Sequence, residues 1–69
     1  MKTYLAKERL NSSGCNARGR YFGIVRGTSV YRYDFSGDGE SGYLRERSRA
    51  QAKETLRELY PQLKLRFYR

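Results

Sequence analysis

Ser48-Arg49-Ala50-Gln51-Ala52-Lys53-Glu54-Thr55-Leu56-Arg57-Glu58-Leu59-Tyr60-Pro61 decides the architecture of this chain. Ser48 followed three residues later by Gln51 is a capping-box pattern, in which two side chains satisfy the free backbone donors at a helix start. Ala52, Leu56 and Leu59 then recur at i, i+4 and i+7 and form one apolar stripe, while Arg49, Lys53, Glu54, Arg57 and Glu58 take the other faces. Pro61 forces the residue before it out of helical backbone, so the spacing predicts a helix over 48–60. A lone amphipathic helix must bury its stripe against a second layer, and the rest of the chain offers only strands to build one.

Ser29-Val30-Tyr31-Arg32-Tyr33-Asp34-Phe35 alternates with period two, placing Tyr31, Tyr33 and Phe35 on one face and Val30, Arg32 and Asp34 on the other. Arg20-Tyr21-Phe22-Gly23-Ile24-Val25-Arg26 is rich in aromatic and β-branched residues and reads as the hairpin partner of that strand, joined through Gly27-Thr28. Tyr43–Arg47 reads as a further short strand. Lys2–Leu10 reads as another, although its pattern also fits a short helix. Beyond Pro61, Leu63, Leu65 and Phe67 alternate with Lys64, Arg66 and Tyr68, the signature of a half-buried final strand over 62–68. Segments 11–19 and 36–42 are polar and glycine-bearing and read as loops. The expectation is one compact α+β domain over residues 1–69, without internal repeats. It is a small antiparallel or mixed sheet of three to five strands with one amphipathic helix packed on one face, in the order β-β-β-β-α-β.

At 69 residues the chain has room for one small core and no deep, multi-part active site, since a domain of this size buries only about 60% of its unfolded surface. Mean hydropathy is −0.93. No apolar run approaches the roughly 20 residues of a membrane span, and the first residues do not resemble a secretory signal. Cys15 is the single cysteine and cannot form an internal disulfide. A cytoplasmic location and no membrane partner are the expectation.

Charge narrows the class of partner. The net charge is +8, from 15 Lys and Arg against 7 Asp and Glu. Two basic segments, 1–33 and 47–69, flank an acidic one that carries Asp34, Asp38, Glu40 and Glu46. Arginine predominates among the cations, and its planar fork suits phosphate and stacks on bases. Such a balance is the electrostatic footprint of a nucleic-acid binder.

Catalytic chemistry finds little to work with. Histidine, the usual acid–base group at neutral pH, is absent. Cys15 lacks a base to activate it, and zinc lacks paired cysteines. Asp34, Ser36, Asp38 and Gly39 match the first half of a calcium loop, but its twelfth position, which needs a bidentate glutamate, is Arg45. The segment therefore reads as an acidic hairpin loop. No catalytic residue, metal ligand or cofactor is expected.

Two short resemblances accompany this reading. Arg20–Gly27 resembles part of the first ribonucleoprotein motif of RNA-recognition modules, with Arg20, Phe22, Gly23 and Val25 in matching places; Ile24 and Gly27 depart from it, standing where that motif has aromatics. The order of Val30-Tyr31-Arg32-Tyr33, a glycine loop and the helix from Ser48 to Leu59 is similar to the arm-site binding domains of tyrosine-type integrases.

The sheet face opposite the helix has no second helix to cover it and must meet water or a partner. Arg18, Arg20, Arg26, Arg32, Arg45 and Arg47 are the candidate phosphate contacts on and beside that face. Tyr31, Tyr33 and Tyr43 are the candidates for stacking or hydrogen bonding to bases. Tyr31 and Tyr33 serve there only if the register turns them outward; turned inward with Phe35, they supply the core that Leu56 and Leu65 need. The expected function is non-enzymatic binding of DNA or RNA. The rival is an inhibitor or adaptor of the kind phages and mobile elements encode, bound to an acidic or nucleic-acid-facing surface of a host protein, since Arg and Tyr also dominate protein interfaces. A homodimer paired through an edge strand is a further arrangement the final strand would allow.

Overall fold

The computed structural model describes residues 1–37 and 39–69. In chain order the elements are β1 (Lys2–Lys7), β2 (Ser29–Phe35), β3 (Ser41–Glu46), α1 (Arg49–Leu59) and β4 (Arg66–Tyr68). The strands form one sheet in the order β3-β2-β1-β4. β1 and β3 each run antiparallel to β2, and β4 runs parallel to β1. The helix carries the chain from one edge strand, β3, to the other, β4, packing against the sheet on the way. This is the α+β arrangement that the single apolar stripe requires; its four strands fall within the expected three to five, and the order is β-β-β-α-β, one strand short of the expected order before the helix.

Local signals account for the helix. The Ser48 hydroxyl accepts from the Gln51 amide at 3.2 Å, the interaction its spacing predicts. The helix closes where the Tyr60 amide reaches the Leu56 carbonyl, immediately before Pro61. Ala52 and Leu56 are fully buried. Leu59, the third member of the expected stripe, is instead 61% exposed. The Tyr60 ring takes the corresponding place, edge-on to Phe35 at 4.8 Å.

Register settles the direction of the aromatic row. Leu5 lies opposite Tyr33, Thr3 opposite Phe35 and Phe67, and Tyr31 opposite Leu44, so all of these share the helix side. Leu5, Tyr31 and Phe35 pack there with Ala52, Leu56 and Leu65, and Tyr33 flanks them half-buried. The reason is area: two buried helical side chains and Leu65 cannot fill a core without large partners from the sheet. Gly42 makes room for one of them. A β-carbon there would stand 2.6 Å from the Tyr33 hydroxyl and 2.8 Å from its ring, so the glycine is the floor on which Tyr33 lies.

The expected hairpin of 20–26 with 29–35 does not form. β2 has only two edges, and β1 and β3 occupy both. Residues 8–28 instead fold as a long connection in which Tyr21 makes a single bridge, to Cys15. With no strand over 20–26, the likeness to the ribonucleoprotein motif loses its structural basis. Contrary to the expectation of no internal repeat, the connection contains a short one. Asn11-Ser12-Ser13-Gly14-Cys15 and Asn16-Ala17-Arg18-Gly19-Arg20 are consecutive N-x-x-G-x turns with the same hydrogen bonds. In each, the asparagine side-chain oxygen accepts from the amides two and four residues on. The glycine amide donates to the asparagine carbonyl, and the asparagine amide donates to the carbonyl of the fifth residue. Gly14 and Gly19 adopt φ of +84° and +83°, the left-handed backbone this turn needs at its fourth position.

Asn16 is buried and also donates to the Glu8 carboxylate at 2.9 Å, anchoring the second turn to the end of β1. Gly14 packs against Gly23 so closely that a β-carbon would meet its Cα at 2.6 Å, and its carbonyl accepts from the amides of Phe22 and Gly23. The connection is thus pinned along its length.

The final strand is shorter than the expected 62–68. Pro61 opens a turn, and the Lys64 carbonyl accepts from the Met1 amino group before pairing with β1 begins at Arg66. Its expected alternation survives: Leu63, Leu65 and Phe67 pack on the core, whereas Arg66 and Tyr68 do not. β4 pairs only with Lys2, Thr3 and Tyr4. Beyond its reach the Arg49 guanidinium donates to the Leu5 carbonyl at 3.1 Å, satisfying an edge group that a longer strand would have covered.

Candidate nucleic-acid interface

Period two and the strand register assign the other face. Lys2, Tyr4 and Ala6 of β1 lie beside Val30, Arg32 and Asp34 of β2, Ser41, Tyr43 and Arg45 of β3, and Arg66 and Tyr68 of β4. No helix covers this side, but the connection does in part. Val30 is buried, and Phe22 leans on Tyr43 with ring centroids 4.9 Å apart. Arg20, Phe22, Val30, Tyr43 and Arg45 help line a depression of about 220 Å³ at that end.

Cations and rings alternate across the remainder. The Arg20 guanidinium lies 5.0 Å from the Tyr43 ring and 5.2 Å from that of Phe22. Arg32 lies 5.6 Å from the Tyr4 ring, and Lys2 lies 5.5 Å from that of Tyr68. Tyr4 and Tyr68 meet edge to face at 5.7 Å. Each strand contributes at least one member, so the row runs diagonally across all four strands. Among the described strand residues, the acid on this face is Asp34, 3.4 Å from Arg32. That pair is half-exposed, so it orients Arg32 more than it stabilises the fold.

The expected site residues divide accordingly. Arg20, Arg32 and Tyr43 come together on the helix-free face. Arg18 and Arg26 are exposed on the 8–28 connection, and Arg47 is exposed between β3 and the helix. Arg45 faces the expected way but is already engaged: its guanidinium donates to the carbonyls of Phe22 at 2.7 Å and Gly23 at 3.0 Å, and to the Thr28 hydroxyl at 3.1 Å. It clamps the connection to the sheet instead of standing free for phosphate. Tyr31 and Tyr33 are removed from the interface altogether, because they sit on the helix side.

Tyr33 belongs to a different cluster. The Tyr60 hydroxyl donates to the Glu40 carboxylate at 2.9 Å, and hydrogen bonds with Tyr33 and then with Glu40 hold the Tyr60 phenol well above the usual phenol range. Asp38 of the calcium-loop reading lies outside the described residues.

Sequence reasoning missed Lys2, Tyr4, Phe22, Arg66 and Tyr68. The signal for four of them was present: if Leu5, Leu65 and Phe67 face the helix, strict alternation turns Lys2, Tyr4, Arg66 and Tyr68 away. Phe22 carried no such signal, because its position depends on the path of the connection. No family model matches the chain, and no curated protein or solved structure matches it.

Proposed function

We propose that this protein is a small, non-enzymatic nucleic-acid-binding protein that takes its ligand on the helix-free sheet face. The observation that carries this reading is the alternation of cations and rings, Arg20 with Tyr43, Arg32 with Tyr4 and Lys2 with Tyr68, on a surface no helix covers. Guanidinium and ammonium groups attract phosphate, and aromatic faces attract bases of any identity. The net charge of +8 adds long-range attraction for a polyanion.

Binding measured across salt concentrations tests the reading. If Lys2, Arg20 and Arg66 each displace one counterion, log K falls against log[salt] with a slope of about −2 to −3. Absence of binding at low salt, or an affinity independent of salt, would remove the proposal.

A second reading, a factor that binds a host protein, draws on one specific feature. Tyr21, Ile24 and Val25 are 71%, 64% and 50% exposed on the pinned connection, between Arg20 and Arg26. Apolar side chains held in water beside arginines suit an acidic protein surface. A stoichiometric protein partner retained after nuclease treatment would favour this reading; loss of the captured material with nuclease favours the first.

A further inference from the structure

Resting on the nucleic-acid reading, we infer that the ligand is single-stranded and is laid across the strands, with separated bases stacked at two positions, one at Tyr43 and one at Tyr4–Tyr68. The geometry of the rings leads to this. Tyr43 is on β3 and Tyr4 on β1, two strand spacings apart, so their positions are separated by at least about 10 Å. Neighbouring bases in a duplex strand are only about 3.4 Å apart and offer their faces to one another. Two platforms so widely spaced can be occupied only by bases pulled out of a stack, which a single strand presents freely and a duplex does not.

The polar groups agree. Reading a duplex through its groove calls for side chains free to reach base edges, typically Arg, Asn or Gln. Among the described residues on this face there is no Asn or Gln, Arg45 is engaged by the connection and Arg32 is held between Asp34 and Tyr4, which leaves only Arg66, on the edge strand, and Arg20, over the Tyr43 ring. What the face does offer is flat: three tyrosines, Phe22, and the guanidinium of Arg20 over a ring, which itself stacks on bases. Asp34 between the two platforms repels phosphate. The sugar–phosphate backbone therefore runs along the margins, near Arg20 at one end and Lys2 and Arg66 at the other, with bases directed to the middle.

The chain has seven tyrosines and no tryptophan, so its emission is that of tyrosine, and three of the seven, Tyr4, Tyr43 and Tyr68, lie on this face. The experiment titrates the protein with a mixed-sequence single-stranded oligonucleotide and, at the same salt, with the duplex made from it. The single strand should quench tyrosine emission and bind at least about tenfold more tightly than the duplex. Tyr4→Leu and Tyr68→Leu should each weaken single-strand binding by about five- to 150-fold, and Tyr4→Phe and Tyr68→Phe should restore it. Duplex binding as tight as single-strand binding overturns the inference while leaving the nucleic-acid reading intact. So do leucine variants that unfold at the wild-type temperature and keep wild-type affinity. If neither nucleic acid binds at low salt, the broader reading itself fails. The comparison of single strand with duplex uses the unaltered protein and holds even if a leucine variant does not fold.

Discussion

Replacing Arg45 with methionine separates two roles that its sequence position leaves open. Arg45→Met keeps most of the aliphatic stem and removes the guanidinium, and with it three hydrogen bonds, to the Phe22 and Gly23 carbonyls and the Thr28 hydroxyl. Hydrogen bonds from a charged donor contribute about 1.5–3 kcal/mol each, but these acceptors lie on a partly exposed connection where water can replace some of the loss. A combined cost of about 2–4 kcal/mol is therefore expected. Against the roughly 3–10 kcal/mol that holds a domain of this length together, that is a large fraction. With a urea dependence of about 1 kcal/mol per molar, the unfolding midpoint followed by circular dichroism should fall by about 2 M or more. Hydrogen exchange at the Phe22 and Gly23 amides, which bond to the Gly14 carbonyl, should accelerate in the same variant. If Arg45 served instead as a phosphate contact, the midpoint would stay in place and the salt slope of binding would drop by about 0.7–0.9. That second pattern would refute the clamp.

The two asparagine turns offer a matched comparison: Asn16→Ala should destabilise the protein by about 1–3 kcal/mol in urea melts, and Asn11→Ala by less, because only Asn16 is buried and bonded to Glu8. Equal effects would mean that burial of the second turn is unimportant. Gly42→Ala should cost about 1–3 kcal/mol in thermal unfolding by displacing the Tyr33 ring, with partial relief from Tyr33→Phe in the same chain because the hydroxyl is the nearest atom; a wild-type melting temperature would contradict the packing. The Tyr60 phenol, raised in the folded state by Tyr33 and Glu40, keeps its proton at pH values where the unfolded chain loses it. The folded state then binds the extra proton, so this contribution is complete below about pH 10 and declines as the pH rises further. Tyr60→Phe should flatten that alkaline decline in unfolding midpoints, and an unchanged profile would show that the Tyr60 cluster does not cause it.

Local chemistry specified a good part of this molecule. The Ser48 cap, the Ala52 and Leu56 stripe and the stop at Pro61 involve residues a few positions apart, so no distant partner is needed to specify them. Period two along β2 and through Leu63, Leu65 and Phe67 is equally local, and it separated the two faces correctly before their assignment was known. The net charge of +8 is a matter of composition and required no fold at all. Tertiary structure decided the rest. A strand's alternation says which residues share a face but not which face meets the helix, and only the volume left beside Leu56 and Leu65 turned Tyr31, Tyr33 and Phe35 inward. The strand-like composition of 20–26 lost to competition, because both edges of β2 were filled by β1 and β3 and the close Gly14–Gly23 contact bent the segment away. Arg45 looks like any surface arginine until the carbonyls of Phe22 and Gly23, more than twenty residues earlier, arrive at its guanidinium. Partners so distant in the chain are chosen by the global packing, which no short-range pattern encodes.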